Sequence, residues 1–425
     1  MDGIRSLGML ACAQARVKPG GLLALAIVMK LVIVVGTRPE IIRLSAIIGR
    51  ARQYFDVTLV HTGQNYDDNL NGAFFRDLSI AAPDRHLECS REPLGRTIGD
   101  VIAKSYDLLE EIRPDALLVD GDTNSCLCVY SAKRLKIPIF HFEAGHRCFD
   151  LNLPEEINRK LVDHLADVNL CYTEHARRNL LAENCKPEYT FTVGSPMREV
   201  IEGILPRIMA SDALRRRGLE EGKYFVWSSH REENVTQARN FTEIVRSLNC
   251  LAEEYGHPVF FPAHPRTRQR LVSMNAKLHP SIILSDPIGI IEFCKLQKNA
   301  LCVISDSGTL TEETDILRFK GILLRTSTEK PEGLEAGTVT IGTIRWETLR
   351  ETIRLVLGTP MDPRDTIPDY QCATVSEKVC KIISGYTDIV NQFIWRKPTH
   401  PAQYDLASSP RAGASLSQAN TKCSS

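Results

Sequence analysis

Leu31–Val35 is an unbroken apolar run that stops at Gly36, and an amphipathic segment carrying Ile41, Ile42, Leu44, Ile47 and Ile48 follows at once. A strand with no polar face must be covered on both sides, and a parallel sheet between two layers of helices achieves this. The unit of apolar strand, polar turn and helix then repeats. Strands are expected at 56–61, 116–119, 137–142, 168–172 and 191–193, and helices at 97–112, 125–135, 174–183 and from Pro154 onward. A charged, irregular stretch around 200–222 reads as a domain junction. A second series of strands follows it at 224–228, 259–262, 282–284, 301–304, 321–324 and 338–341. The expected fold class is α/β, with two Rossmann-like domains whose parallel sheets face a central cleft. The domain boundaries read as 29–200 and 201–372, followed by a terminal helix within 373–397. Residues 1–28 read as a disordered extension or a misassigned start before Met29, and 398–425 as a disordered tail with few large apolar residues.

Composition narrows the function classes. The chain has 425 residues and equal numbers of basic and acidic side chains, 52 of each, so it lacks the basic excess of a general nucleic-acid grip. The apolar run at 21–28 is too short to span a bilayer, and no membrane partner is expected. None of the 13 cysteines forms a CxxC pair, and no spacing resembles a metal site, so reduced packing cysteines, a cytoplasmic setting and no metal are expected.

Chemistry-bearing residues gather where strands are expected to end. In the first half these are Arg38, Arg43, Asp122, Glu143, His146, Arg147, Glu155 and Glu156; in the second they are His230, Arg231, His264, Arg266, Ser307, Gly308 and Glu313. Thr37 with Glu40, and Thr309 with Glu312, each have the T-x-x-E spacing of a helix capping box. Backbone N–H groups at a helix start favour an anion, so the turn at Gly36–Arg38 is a candidate anion site. Ser307-Gly308 at another helix start suits a pyrophosphate, and the acid beyond it can accept hydrogen bonds from a ribose diol. The second half therefore reads as a nucleotide site and the first as a chemistry site. Carboxylates crowded beside Arg and His suit general acid–base work on a sugar. For Glu155 and Glu156 a plainer reading stands beside this one, since acids in a first helical turn complement the helix dipole. No G-x-G-x-x-G, Walker A or serine-elbow motif is present, so no redox cofactor is indicated.

Taken together, Gly36-Thr37-Arg38-Pro39-Glu40, Gly121-Asp122-Thr123, Glu143-Ala144-Gly145-His146-Arg147, Pro154-Glu155-Glu156-Ile157-Asn158-Arg159, His230-Arg231-Glu232-Glu233, Asp306-Ser307-Gly308 with Glu312-Glu313, and Thr328-Glu329-Lys330-Pro331-Glu332 resemble the non-hydrolysing UDP-N-acetylglucosamine 2-epimerase family. The motifs occur in the family's order and span about 29–345, nearly all of the expected folded part. The resemblance implies a GT-B fold whose last helix crosses back to the first domain. It also implies inversion at C2 of a UDP-2-acetamido sugar through anti elimination of UDP and its re-addition to a 2-acetamidoglycal. By motif position, Asp122, Glu143 and Glu155 would be the acid–base carboxylates. Arg38 and His230 would stabilise the departing UDP, Ser307 and Gly308 would hold phosphate, and Glu313 the ribose. Arg43, Arg147 and Arg159 would join the substrate-binding set. The resemblance implies no cofactor and suggests a homodimer.

Departures from the family pattern bear on the substrate. Arg43 stands where the family usually has Lys, and Thr309 where it usually has a second Gly. The stretch between Glu143 and Glu155 is about two residues shorter than is usual and lacks Trp-Pro. These versions resemble the branch that converts UDP-2-acetamido-2,6-dideoxy-L-talose to UDP-N-acetyl-L-fucosamine. Interconversion of UDP-N-acetylglucosamine and UDP-N-acetylmannosamine is the alternative. A GT-B glycosyltransferase and a non-catalytic UDP-sugar-binding module are rivals of other classes.

Overall fold

The structure, a computed structural model, describes residues 28–398 apart from 64–74, 76, 79, 230, 232, 233, 235 and 363. Except for residues 28 and 398, the expected extension and tail lie outside the described residues, as does His230. Two parallel sheets account for the strands. The first contains β1 (Lys30–Val35), β2 (Asp56–His61), β3 (Arg85–His86), β4 (Ala116–Asp120), β5 (Ile139–Phe142), β6 (Val168–Cys171) and β7 (Thr190–Thr192), in the spatial order β3-β2-β1-β4-β5-β6-β7. The second contains β8 (Phe225–Ser228), β9 (Val259–Pro262), β10 (Ile282–Ser285), β11 (Cys302–Ser305), β12 (Gly321–Leu324) and β13 (Val339–Gly342), in the order β10-β9-β8-β11-β12-β13. In each sheet the strand order reverses beside the first strand, and that switch point opens a crevice at the carboxyl ends of the strands.

The alternation of strand side chains explains the layers. Leu31, Ile33 and Val35 pack on one face with Ile41, Leu44 and Ile48 of the helix Arg38–Ala51, while Val32 and Val34 face Val101 and Leu109 of the helix Leu94–Ile112 on the other. The second sheet divides in the same way, with Phe225 and Trp227 on one face and Tyr224 and Val226 on the other. Val375, Val379, Ile383 and Val390, from the helix Val375–Ile389 and the turn after it, lie in the same cluster as β1 and the helix Arg38–Ala51.

Two local expectations need correction. The irregular stretch begins after 210 rather than near 200, because Met197–Ala210 is a continuous helix; beyond it, residues 211–224 hold only the short helix Ala213–Arg216 among turns. Met197, Ile201, Ile204 and Ile208 form its buried stripe, and Pro206 lies inside it. The capping box at Thr309–Glu312 does not form. Thr309 Oγ1 bonds Glu313 Oε1 at 2.9 Å instead, and Glu312 is drawn toward the first domain.

Candidate active site

Register places the acids side by side. β4 and β5 pair with Asp120 opposite Phe142, so Gly121-Asp122 and Glu143 leave adjacent strand ends together. Gly121 has φ +78°, and a Cβ there would meet Glu143 Oε2 at 2.9 Å and Arg43 Nη2 at 3.0 Å. Only a residue without a side chain lets the two loops approach this closely. Gly121→Ala is expected to lower turnover by roughly a hundredfold through displacement of Glu143. Steady-state kinetics checks this, and wild-type rates in the variant would sink it.

Glu143 is the best-defined group of the site. Its φ is +63°, a conformation that costs a non-glycine residue energy and that persists where surrounding contacts impose it. Its Oε2 meets Arg43 Nη1 at 2.7 Å and its Oε1 meets Lys330 Nζ at 3.3 Å. Arg43 Nε reaches Asp120 Oδ2 at 2.8 Å, and Tyr172 Oη donates to Asp120 Oδ1 at 3.2 Å. Burial pushes the Asp120 carboxyl well above its ordinary range, against the pull of Arg43. Burial works against the charge on Arg43 and Lys330, but their acidic neighbours more than offset it, so both stay cationic. His146 lies 3.7 Å from Glu143, and neither of its buried ring nitrogens has a hydrogen-bond partner among the described residues. Burial, with Lys330 and Arg159 nearby, holds His146 well below its ordinary pKa, so it is neutral.

Asp122 is held by Arg159, whose Nε and Nη2 lie 2.8 and 2.7 Å from Asp122 Oδ2. Arg159 also bonds Glu156 Oε2 at 3.0 Å, and Glu156 accepts the backbone N–H groups of Cys148 and Phe149 at 3.1 and 3.2 Å. Of the two acids at this helix start, Glu156 is therefore buried and shapes the loop, whereas Glu155 is exposed in the first turn, outside this network.

The arginines expected to meet substrate divide. Arg38 is half-buried at the helix start that follows β1. Arg43 and Arg159 hold protein carboxylates within the site. Arg147 is committed elsewhere: its side chain is 0% exposed and it bonds Asp163 at 2.7 Å and Glu183 at 2.8 and 2.7 Å. Arg147 thus braces the loop after Glu143 through Asp163 and Glu183, and its place in the substrate-binding set stays a proposal. The candidate anion site at Gly36–Arg38 also changes. The N–H groups of Gly36 and Thr37 are taken by Glu40 Oε2 at 2.8 and 2.6 Å, while Glu40 Oε1 accepts from Thr123 at 2.7 Å and Ser125 at 2.5 Å. The anion at this helix start belongs to the protein, and it ties the first loop to the one bearing Asp122.

The second sheet contributes the opposite wall. Ser307 and Gly308 follow β11, with Ser307 Oγ 3.0 Å from Thr309 Oγ1. A Cβ at Gly308 would meet Glu329 Oε1 at 2.8 Å and Arg325 Nη2 at 3.1 Å. Glu313 is buried and takes hydrogen bonds from Gln297 Nε2 at 2.5 Å and Thr309 Oγ1 at 2.9 Å; burial raises its pKa. Arg325 bonds Glu329 at 2.6 Å and holds that carboxylate, against the effect of burial, well below its usual range. Lys330, Glu312, Arg325 and Glu329 were not among the expected site residues. For Glu329 and Lys330 the signal available was the charged TSTEKPEG segment just past the carboxyl end of β12. Among the described residues, no group of three or more His, Cys, Asp or Glu side chains is placed to hold a metal ion.

The sequence pattern of the UDP-N-acetylglucosamine 2-epimerase family matches residues 49–384. The chain belongs to this family. Its relatives include the UDP-N-acetylglucosamine 2-epimerase of Methanocaldococcus jannaschii, 35% identical over 78% of this chain and 93% of that one. The crystal structure of that enzyme in complex with UDP-GlcNAc and UDP has a TM-score of 0.79 and 33% identity, covering 84% of this chain and 100% of that one. The UDP-N-acetylglucosamine 2-epimerase structure from Rickettsia bellii has a TM-score of 0.80 and 40% identity, covering 87% and 100%. A Pseudomonas aeruginosa relative, 33% identical over 78% of this chain and 93% of its own, is a UDP-2,3-diacetamido-2,3-dideoxy-D-glucuronate 2-epimerase. Membership makes the chain a UDP-sugar 2-epimerase, an isomerase on the GT-B-like pair of parallel sheets described above. Among its described residues, no helix is long and apolar enough to cross a membrane.

Proposed function

We propose that the chain inverts C2 of a UDP-2-acetamido sugar by elimination and re-addition of UDP. A carboxylate of the first domain takes the C2 proton. The electrons of the C2–H bond form a C1=C2 double bond, and UDP leaves C1 with the C1–O pair. Return of a proton to the other face of C2 and of UDP to C1 completes inversion. Glu143 and Asp122 are the leading proton-transfer groups. Glu155 is the third candidate, and its exposure means that substrate or domain movement has to complete its surroundings. Arg38 and His230 are assigned to the departing UDP, Ser307 and Gly308 to its phosphates, and Glu313 to the ribose.

The observation that carries this reading is Glu143. It is held in a strained conformation beside Asp122 and between cations from both domains. A binding module has no need of such a group. A glycosyltransferase would need an acceptor, whereas the elimination needs only the UDP-sugar.

The substrate proposed first is UDP-2-acetamido-2,6-dideoxy-L-talose, giving UDP-N-acetyl-L-fucosamine. The short loop between Glu143 and Glu155 supports it, because Phe149 and Leu151 stand 72% and 64% exposed there and offer apolar surface suited to a C6 methyl group. UDP-N-acetylglucosamine is the second reading, favoured by the names of most relatives. Incubation of each UDP-sugar with enzyme in D2O, followed by proton NMR, is expected to show loss of the C2 proton signal without any acceptor. Faster exchange is expected with the 6-deoxy sugar. Faster exchange with UDP-N-acetylglucosamine would reverse the substrate order, and none with either would sink the reading.

A further inference from the structure

The buried polar groups around Glu143 form one continuous chain that starts where the first domain hands over to the second. Ser195 follows β7 and lies just before the helix Met197–Ala210. Its Oγ donates to Glu312 Oε1 at 2.5 Å, the other oxygen of Glu312 accepts from Lys330 Nζ at 2.6 Å, and Lys330 Nζ reaches Glu143 Oε1 at 3.3 Å. Arg43 continues the chain from Glu143 to Asp120. Glu312 and Lys330 belong to the second domain, and Glu143, Arg43 and Asp120 to the first. Relative exposures of Ser195, Glu312, Lys330 and Glu143 are 0, 0, 2 and 7%, so water does not compete for these bonds.

We propose that Lys330 is a positioning residue, which couples closure of the two domains to the placement of Glu143 for proton transfer. This rests on the reading of Glu143 as a proton-transfer group. The geometry separates two jobs for the ammonium. Its shorter contact is with Glu312 in its own domain, which fixes where the side chain points. Its longer contact crosses to Glu143 and exists only while the domains are together. Nζ also lies 5.6 Å from the centre of the Tyr172 ring, so the first domain receives it in a prepared slot. Glu143 has a second cation, Arg43, from its own domain. One oxygen is thus held permanently and the other only on closure. A carboxylate fixed at one oxygen can still swing about that contact. Held at both, it is confined, and confinement near a reactive geometry is a large part of catalysis.

A static ion pair between Lys330 and Glu312 would leave Glu143 indifferent to Lys330, and the two cases give different kinetics. Replacing Lys330 by Met in the full chain is expected to lower kcat for C2 deuterium exchange about a hundredfold, with KM and calorimetric UDP affinity changed less than roughly threefold. Lys330→Arg is expected to restore kcat to within roughly tenfold of wild type, because it returns a cation to the same slot. Glu312→Gln keeps the shape and the bond from Ser195 but frees the ammonium. It is expected to lower kcat about tenfold, and it serves as the test should Lys330→Met fail to fold. The assignment is overturned if kcat stays near the wild-type value in the folded Lys330→Met or Glu312→Gln protein, or if UDP affinity falls in parallel with kcat. Absence of C2 exchange in the wild-type enzyme would overturn the reading of the function and this assignment with it, whereas intact wild-type exchange with an indifferent Lys330 overturns the assignment alone.

Discussion

Glu143→Gln is expected to slow C2 exchange by about a thousandfold, the loss of a general acid–base group, while UDP affinity stays within roughly threefold. The substitution keeps the volume and the strained backbone but removes the charge that Arg43 and Lys330 hold at 2.7 and 3.3 Å. The amide cannot take a proton, and it leaves two buried cations without their shared partner. The effect on UDP is expected to be small because Ser307, Gly308 and Glu313, assigned to its phosphates and ribose, lie in the second domain, after β11 and on the helix that follows it. Single-turnover exchange in D2O combined with calorimetry of UDP binding separates the two effects. A variant that exchanges C2 at the wild-type rate would remove Glu143 from the chemistry and return the role to Asp122 or Glu155.

Asp163→Ala is expected to cost about 3–5 kcal/mol of stability, the usual penalty for leaving buried charges without their partner. Asp163 is 1% exposed and works in three directions. It accepts from Gly145 N at 3.1 Å, pairs with Arg147 at 2.7 Å, and lies 2.8 Å from His141 Nδ1. The other nitrogen of His141 is 2.8 Å from the carbonyl oxygen of Gly121. One carboxylate therefore braces both loops, the one before Asp122 and the one after Glu143. Burial pushes the Asp163 carboxyl up, but His141 and Arg147 more than reverse this, so its folded pKa lies below the ordinary carboxylate value. A depressed folded pKa gives stability that is fully present above the unfolded value and is lost as pH falls toward the folded one. The gap in denaturation midpoint between wild type and Asp163→Ala should accordingly be widest near neutral pH and narrow in acid. A gap that stays constant or grows as pH falls would show that the charge of Asp163 is not what braces the loops.

How much of this was legible in the sequence depended on whether the information was local. Strand ends were readable because Val35-Gly36 and Asp120-Gly121 mark them within a few residues, and parallel order then placed Asp122 beside Glu143. The first capping box was readable for the same reason. The second failed because Glu312 has better partners than its own helix start, Ser195 and Lys330, which are far away in the chain. The partners of Arg147 were hidden for the same reason: it directly follows His146 of the Glu143–Arg147 motif, but it pairs with Asp163 on the next helix and with Glu183 just past the end of the one after. Of the adjacent acids at the Pro154 helix start, the sequence could not say which faces inward; the turn of the helix sends Glu156 to Arg159 and leaves Glu155 in solvent.

The terminal helix Val375–Ile389 has a consequence for how the molecule is made. Its Val375, Val379 and Ile383 share a core with Leu31 and Leu44, so an early-made strand and helix and a late-made helix are neighbours in the finished protein. The first sheet has all its strands by Thr192, but one of its faces has to wait until the helix from Val375 has been made, after the whole second sheet, before it is dry. Contacts this distant in sequence form slowly, and apolar surface left open meanwhile is open to the wrong partner. The second domain has no such debt to the first, since its two core clusters close within residues 197–357, apart from edge contacts with Ile42 and Leu78. The half to which proton transfer is assigned is thus the last to be completed, and an unfinished chain would carry the wall proposed for the nucleotide before the one proposed for proton transfer.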